Sequence, residues 1–164
     1  MAIYDYDEII RLDPKYAHAY FDWGYAYASK QDFDAAIRDY TSVIQLDPKN
    51  PDAYSGRGCA YGAKQDFDEA IKDYTEAIRL EPRNPDGFYN RGYSHISKKD
   101  FENAIKDYTS AIRLAPNRAE AYYNRGKARS IKKDFDMAAT DYNEAIRLNP
   151  HIKDFENYTK GLKK

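Results

Sequence analysis

The apolar residues of this chain recur at a spacing that predicts amphipathic helices. Between Asp66 and Pro82 they fall on one stripe of a helix, at Phe67, Ala70, Ile71, Tyr74, Ala77 and Ile78. Charged residues occupy the opposite face of the same stretch. Asp66 is a candidate N-cap, Glu69 would complete a capping box, and Pro82 prevents the helix from continuing. The pattern predicts a helix over about residues 67–80.

Near-copies of this stretch recur every 34 residues along the chain. Each copy closes with a proline, at Pro14, Pro48, Pro82, Pro116 and Pro150. A fixed period of this length is typical of solenoid arrays, in which no repeat buries its apolar face without its neighbours. The sequence predicts four complete repeats, at residues 17–50, 51–84, 85–118 and 119–152.

The first half of each repeat predicts another helix, which we call the first helix; the stretch described above is the second. In the copy from Pro51 to Lys64, Asn50 is the expected N-cap and Pro51 takes the first helical position. A glycine recurs in the first helices, at Gly24, Gly58, Gly92 and Gly126. An alanine recurs in the second helices, at Ala36, Ala70, Ala104 and Ala138. We expect these small residues to let the two helices of an antiparallel hairpin approach closely.

Together these positions resemble the tetratricopeptide repeat family. Its motif has an aromatic four residues before the glycine, here Tyr20, Tyr54, Phe88 and Tyr122, and another four residues after the alanine, here Tyr40, Tyr74, Tyr108 and Tyr142. The resemblance implies an all-α solenoid of stacked antiparallel helical hairpins with a right-handed superhelical twist and no strands.

Two features depart from the family pattern. The glycine usual in the turn between the two helices is replaced by Gln31, Gln65, Lys99 and Lys133, so a left-handed residue there would be strained. A late aromatic of the first helix, present as Tyr27 and Tyr61, is replaced by His95 and Arg129. We expect His95 to be partly buried in a structural role.

The two ends of the chain predict two more helices, for ten in all. Residues 1–16 correspond to the second helix of a truncated repeat, and residues 153–164 to a capping helix. Their apolar positions complement each other: Ile3, Tyr6 and Ile10 would face a missing first helix, and Ile152, Phe155 and Leu162 lack a second. This predicts weak self-association, head to tail or by exchange into a dimer.

Charge and composition restrict the functional classes. With 26 basic and 27 acidic residues the net charge is -1, so the chain has no net positive charge that would attract nucleic acid. The strict 34-residue period also disfavours an RNA-binding solenoid of the related 35-residue type. No apolar run approaches the length of a membrane span, so no membrane insertion is expected. The single cysteine, Cys59, excludes an intramolecular disulfide and leaves the compartment open.

The sequence favours neither catalysis nor a cofactor. His18, His95 and His151 lack metal-ligand spacing with one another or with Cys59, and no nucleophile is paired with a base. The repeated arginines have a structural interpretation, since each should lie beside the aspartate of its own second helix. The predicted ion pairs are Arg57 with Asp73, Arg91 with Asp107, and Arg125 with Asp141. In the first repeat Trp23 takes this place and leaves Asp39 without an arginine.

The family resemblance implies a non-catalytic adaptor that binds an extended peptide or a partner helix in a concave groove lined by the first helices. The groove positions are Phe21, Asp22, Tyr25, Ser55, Gly56, Cys59, Tyr89, Asn90, Tyr93, Tyr123, Asn124 and Lys127. Farther along the same face come Ser29, Ala63, Ser97 and Ile131. These positions vary between copies, as a recognition surface allows, and we expect the scaffold to demand little of them. The alternative is that they are unconstrained solvent positions.

The groove residues indicate the kind of partner. Asp52, Asp86 and Glu120 make one end acidic, while the tyrosines offer aromatic contacts with hydroxyl groups. We therefore expect a protein or peptide segment that is neutral or basic and carries apolar anchors. One sub-class of the family grips a C-terminal carboxylate with a Lys–Asn pair, where this chain has Phe21 and Tyr25. A clamp of that kind is not expected.

Overall fold

The computed structural model of the chain describes residues 17–152. Within them it contains eight α-helices and no strand, which confirms the predicted all-α fold. The helices are α1 (Ala17–Ser29), α2 (Phe33–Leu46), α3 (Pro51–Ala63), α4 (Phe67–Leu80), α5 (Pro85–Ser97), α6 (Phe101–Leu114), α7 (Ala119–Ile131) and α8 (Phe135–Leu148).

The chain divides into two compact units, Met1–Pro82 and Arg83–Lys164. In the first unit α1 pairs with α2 and α3 with α4, and α3 packs on α2 and touches α1. In the second unit α5 pairs with α6 and α7 with α8, and α7 packs on α6 and touches α5. Each predicted repeat therefore holds one helical hairpin, and within each unit one hairpin packs on the next.

Part of the predicted self-association surface lies outside the described residues. Ile3, Tyr6, Ile10, Phe155 and Leu162 belong to the two terminal stretches. Only Ile152, which is half-buried, falls within the described part. Self-association through the chain ends stays a prediction.

Two helix starts were predicted from the sequence, and the structure agrees at Asn50 and differs at Asp66. Asn50 Oδ1 accepts a hydrogen bond from the Ala53 amide at 3.0 Å, as expected of an N-cap. The capping box predicted at Asp66 is wrong, because the Asp66 side chain makes no cap hydrogen bond. Glu69 instead pairs with Lys72, one turn along the same helix, at 2.6 Å.

The turns within the hairpins use a left-handed residue. Gln31, Gln65, Lys99 and Lys133 have φ angles of 64°, 66°, 62° and 66°. The amide that follows each of them donates back to a carbonyl in the last turn of the first helix; Asp66 N, for example, donates to Tyr61 O at 2.9 Å. This caps the helix C-terminus at a local cost of about 1 kcal/mol for a residue with a side chain.

Each hairpin is built around a tyrosine ring that lies against a glycine. Tyr40, Tyr74, Tyr108 and Tyr142 are buried. A Cβ added at Gly24, Gly58, Gly92 or Gly126 would lie 3.0, 2.9, 3.1 or 3.0 Å from the ring of its own repeat. The sequence predicts that these glycines allow a close approach of the two helices opposite the alanines. The structure shows that their nearest constraint is the tyrosine ring.

The predicted ion pairs are confirmed in three hairpins. Each arginine grips its aspartate with two parallel hydrogen bonds, from Nε and Nη2, at 2.8 and 2.8 Å for Arg57–Asp73. The bonds are 2.8 and 2.8 Å for Arg91–Asp107, and 3.0 and 2.7 Å for Arg125–Asp141. The three aspartates are buried. Such a pair is specific in geometry, and removal of one partner leaves an uncompensated buried charge.

The arginines also connect successive hairpins within a unit. Arg57 Nη1 donates to Thr41 Oγ1 of the preceding hairpin at 3.0 Å. In the second unit Arg125 Nη1 donates in the same way to Thr109 Oγ1 at 3.1 Å. One guanidinium group therefore holds together three helices, two from its own hairpin and one from the neighbour.

Substitution of glycine by alanine tests the tyrosine contact. Gly58→Ala should destabilise the chain by about 1–3 kcal/mol, because the new methyl group would overlap the Tyr74 ring. Gly62→Ala is the matched control in the same helix: its Cβ would meet only the Tyr74 hydroxyl, at 4.0 Å, so it should stabilise the helix by about 0.5 kcal/mol. Thermal denaturation of both variants measures the difference, and equal effects would contradict this account.

A double-mutant cycle tests the ion pair. Arg57→Leu alone should cost about 3 kcal/mol, because it leaves the Asp73 carboxylate buried without a partner. Arg57→Leu combined with Asp73→Ala should recover more than half of that loss. The free energies of unfolding come from urea denaturation. Additive losses in the double variant would show that the two side chains are not coupled.

Candidate peptide-binding faces

The predicted groove residues of the first unit lie on α1 and α3. Tyr25 is 67% exposed and Cys59 is also exposed. Phe21 is half-buried, with its ring edge-on to Tyr40 at a centroid distance of 5.5 Å. Asp22 and Ser55 are half-buried, and Asp22 Oδ2 lies 3.7 Å from His18 Nε2. Here Tyr25 and Cys59 project toward solvent, while Phe21 contributes to the hairpin interior.

Gly56 is a packing position. A Cβ at Gly56 would lie 2.6 Å from the Tyr40 ring of the preceding hairpin. The expectation that the scaffold demands little of this position is therefore wrong, because only a glycine leaves room for the ring.

The thiol of Cys59 takes part in one hydrogen bond at the edge of the core. The Tyr74 hydroxyl donates to Cys59 Sγ at 3.4 Å. Burial is the main cause that raises the pKa of Tyr74, and the neighbouring thiol adds to it. Tyr74 thus stays a neutral donor across the physiological range.

The predicted groove residues of the second unit lie on α5 and α7. Tyr93 is 56% exposed, and Lys127 is exposed with its Nζ 5.6 Å from the centroid of the Tyr123 ring. On the same two helices, Asn124 Nδ2 donates to the Tyr89 hydroxyl at 3.0 Å, which links α7 to α5. Asn90 is half-buried.

The tyrosines of the second unit divide into exposed and packed positions. Tyr89 lies 5.6 Å from Tyr108 and Tyr123 lies 5.6 Å from Tyr142, both measured between ring centroids. The expectation that the scaffold demands little of the groove positions is wrong for Phe21, Tyr89 and Tyr123, whose rings pack on core tyrosines. Each stands five residues into its repeat, where it covers the core tyrosine. The positions nearer the end of the face, Ser29, Ala63, Ser97 and Ile131, are all exposed.

Arg118 belongs to the α5–α7 face, although it is not among the groove positions predicted from the sequence. Its guanidinium carbon lies 3.8 Å from the centroid of the Tyr89 ring, and its Nη1 donates to Asp86 Oδ1 at 2.5 Å. Asp86, assigned to an acidic groove end, is therefore already paired. A comparison of the repeats identifies this residue, since Asn50 and Asn84 occupy the positions that correspond to Arg118.

Family models decide the identity of the fold. Models described as TPR repeat or tetratricopeptide repeat match residues 24–65, 55–119 and 119–152. The chain belongs to the tetratricopeptide repeat (TPR) family. TPR repeats are generally non-catalytic protein-interaction modules. Among curated proteins none matches the chain significantly.

Solved TPR structures resemble this TPR chain in fold. A crystal structure of MamA has a TM-score of 0.87 at 24% identity, with 90% of this chain and 86% of that chain covered. MamA of Desulfovibrio magneticus RS-1 has a TM-score of 0.85 at 18% identity, with 93% and 86% covered. The first TPR of Spaghetti (RPAP3), bound to an HSP90 peptide, has a TM-score of 0.70 at 28% identity, with 71% and 93% covered.

The described part of this TPR chain contains no group of three or more His, Cys, Asp or Glu side chains that could hold a metal ion. Across residues 17–152, each helix is too short or too polar to cross a membrane.

The first TPR repeat contains the buried carboxylate that the sequence left without an arginine. Asp39 Oδ2 and Trp23 Nε1 are both buried, and neither has a hydrogen-bond partner. Burial raises the pKa of Asp39 from 3.8 to about 6, although nearby Arg38 lowers it somewhat. At neutral pH this hairpin therefore carries a poorly solvated negative charge.

The pH dependence of stability tests this interpretation. Between pH 4 and 6 the folded chain holds a proton on Asp39 that the unfolded chain releases, so stability falls as the pH rises through this window. Because Asp39 is only half-buried, we expect a loss of about 1 kcal/mol. Asp39→Asn should remove this loss and stabilise the chain at pH 7.

Asp73→Asn is the matched control for the Asp39 substitution. It leaves Arg57 without its carboxylate, so it should destabilise the chain at pH 7, where Asp39→Asn stabilises it. Urea denaturation at pH 4.5 and 7 measures both variants. If Asp39→Asn destabilises the chain at pH 7 as Asp73→Asn does, the Asp39 carboxylate has a stabilising partner and this account is wrong.

Proposed function

We propose that the chain is a protein-interaction scaffold that binds an extended peptide segment, or a partner helix, on the faces formed by its first helices. The observation that carries this proposal is the state of Tyr93 and Lys127. Both are exposed, both lie on the α5–α7 face, and the hairpins do not use them for packing. An exposed tyrosine and an exposed lysine, on a face whose two helices are linked by the Tyr89–Asn124 hydrogen bond, are typical of a surface that recognises a partner.

The charges of the two faces indicate a neutral or basic segment. On the first unit Asp22 and Asp52 are the acidic groups and Tyr25 offers an exposed aromatic ring. On the second unit Asp86 is paired with Arg118, while Glu120 and Lys127 are both exposed. A basic residue is complementary to the first face, and an apolar or aromatic anchor is complementary to Tyr93 on the second.

A structural relative supports the general mode of binding. The first TPR of Spaghetti (RPAP3) was solved with an HSP90 peptide of sequence SRMEEVD. That peptide is acidic, whereas the first face of this chain is acidic itself. We therefore propose a partner of different charge, bound on the equivalent side of the repeats.

Selection from a random displayed-peptide library, with the full chain as bait, tests this function. The enriched peptides should be neutral or basic and share an apolar anchor. Tyr93→Ala should weaken their binding by about 1–3 kcal/mol, because it removes an exposed aromatic anchor. Its melting temperature should stay within about 1 °C of the unsubstituted chain, since the side chain is mostly in solvent.

Two control variants separate binding from stability. Arg113→Ala, at an exposed site on the second helix α6, should leave peptide binding unchanged. Tyr89→Ala should lower the melting temperature, because its ring covers Tyr108. Enriched peptides that bind Tyr93→Ala as tightly as the unsubstituted chain, but lose affinity for Arg113→Ala, would show that the binding surface is elsewhere.

A further inference from the structure

The second unit contains a built-in arginine site between two first helices. Arg118, at the N-cap position of α7, lies over the Tyr89 ring of α5, with its guanidinium carbon 3.8 Å from the ring centroid. Its Nη1 also forms an ion pair with Asp86, on the first turn of α5, at 2.5 Å. An aromatic platform with a carboxylate at its edge suits a guanidinium group, which is planar, weakly hydrated and always charged.

The corresponding place in the first unit is a pocket. One repeat-pair earlier, Asn50 stands at the position of Arg118 and Phe21 at the position of Tyr89. Between α1 and α3 the structure has a pocket of about 340 Å³, lined by Ala17, His18, Phe21, Asn50 and Asp52. The aromatic platform is thus kept, while the side chain that covers it in the second unit is replaced by a shorter one.

The Asn50 side chain caps a helix, whereas the Arg118 side chain covers an aromatic ring. Its Oδ1 accepts from the Ala53 amide at 3.0 Å, so the side chain is held at the start of α3 as an N-cap. The side chain of Arg118, in contrast, makes no cap hydrogen bond and extends over Tyr89. The same position of the repeat therefore caps a helix in the first unit and covers an aromatic ring in the second.

A carboxylate is also kept at this pocket, but it comes from the other helix. The position of Asp86 is occupied here by His18, which lies beside Asp22. Asp52, in the first turn of α3, lines the pocket, is exposed and forms no ion pair within residues 17–152. The pocket therefore offers the same two elements as the Arg118 site, an aromatic face and a carboxylate.

We propose that the α1–α3 pocket receives an arginine side chain of the bound segment, stacked on Phe21 and paired with Asp52. This inference rests on the proposed peptide-binding function and specifies one residue of the partner. The partner's guanidinium group takes the place that Arg118 fills in the second unit. Lysine fits less well, because a strongly hydrated ammonium group cannot stack flat on the ring.

A titration of the full ¹⁵N-labelled chain with Nα-acetyl-arginine amide tests the pocket. The amide signals of His18, Phe21, Asn50 and Asp52 should shift and saturate at millimolar concentration. The matched probe Nα-acetyl-citrulline amide has the same shape without the charge, and it should bind at least about fivefold more weakly, since it forms neither the ion pair nor the cation–π contact. The matching lysine probe, Nα-acetyl-lysine amide, should bind more weakly than the arginine probe and more tightly than the citrulline probe.

Three variants complete the test. Asp52→Asn keeps the shape of the exposed side chain and should weaken arginine binding about two- to fivefold. Asn50→Arg should fill the pocket from within and abolish binding. Arg118→Asn should open an equivalent pocket in the second unit, so that the probe now shifts the amide signals of Tyr89 and Asp86.

The following results would overturn the proposal: no saturable shifts at the α1–α3 pocket, citrulline bound as tightly as arginine, binding unaffected by both Asp52→Asn and Asn50→Arg, or no new shifts in Arg118→Asn. Failure of the pocket is distinguishable from failure of the proposed function. A selected peptide that loses affinity with Tyr93→Ala and keeps it with Asp52→Asn preserves the scaffold function and removes the arginine pocket.

Discussion

The contact between a tyrosine ring and a glycine controls the geometry of every hairpin in the described part of the chain. The ring comes from the second helix and lies against the first, at a site where a Cβ would be about 3 Å from it. Because the ring is buried and rigid, it sets the distance between the two helices. In three of the four repeats the aromatic residue at position five, Phe21, Tyr89 or Tyr123, then lies against this ring. The face proposed for binding is thus in direct contact with the core.

Beside this contact, the four repeats surround an equivalent aspartate with different sets of basic side chains. Asp39 has no arginine, and Asp73 is held by Arg57. Asp107 is held by Arg91, with His95 Nε2 at 3.9 Å. Asp141 is held by both Arg125 and Arg129, the latter at 2.8 Å.

These contacts explain why the late aromatic of the first helix can be replaced by histidine or arginine. In the last two repeats the replacement turns toward the aspartate. His95 is accordingly 15% exposed, in the structural position that the sequence indicated.

The two faces of the chain carry different chemistry on the same backbone. In the second unit Arg118 pairs with Asp86 and covers Tyr89, while Tyr93 and Lys127 are exposed. In the first unit a short, capping Asn50 leaves the platform of Phe21 open next to Asp52. A change of one side chain at the start of a helix therefore decides whether the site between two repeats is filled by the chain itself or remains accessible.

The 34-residue repeat, the eight helices of the described part and the three ion pairs could be predicted from the sequence, whereas the left-handed turns were seen only in the structure. The predicted features follow from periodicity and from residues that recur in register, because each repeat places equivalent positions in equivalent surroundings. The tertiary structure alone decided which face positions are free. Phe21, Tyr89, Gly56 and Tyr93 all vary between copies, yet only Tyr93 projects into solvent. The physical reason is that a neighbouring ring, seen only once helices pack, restricts the first three, and variation in sequence does not distinguish a freely exposed position from one that packs differently in each repeat.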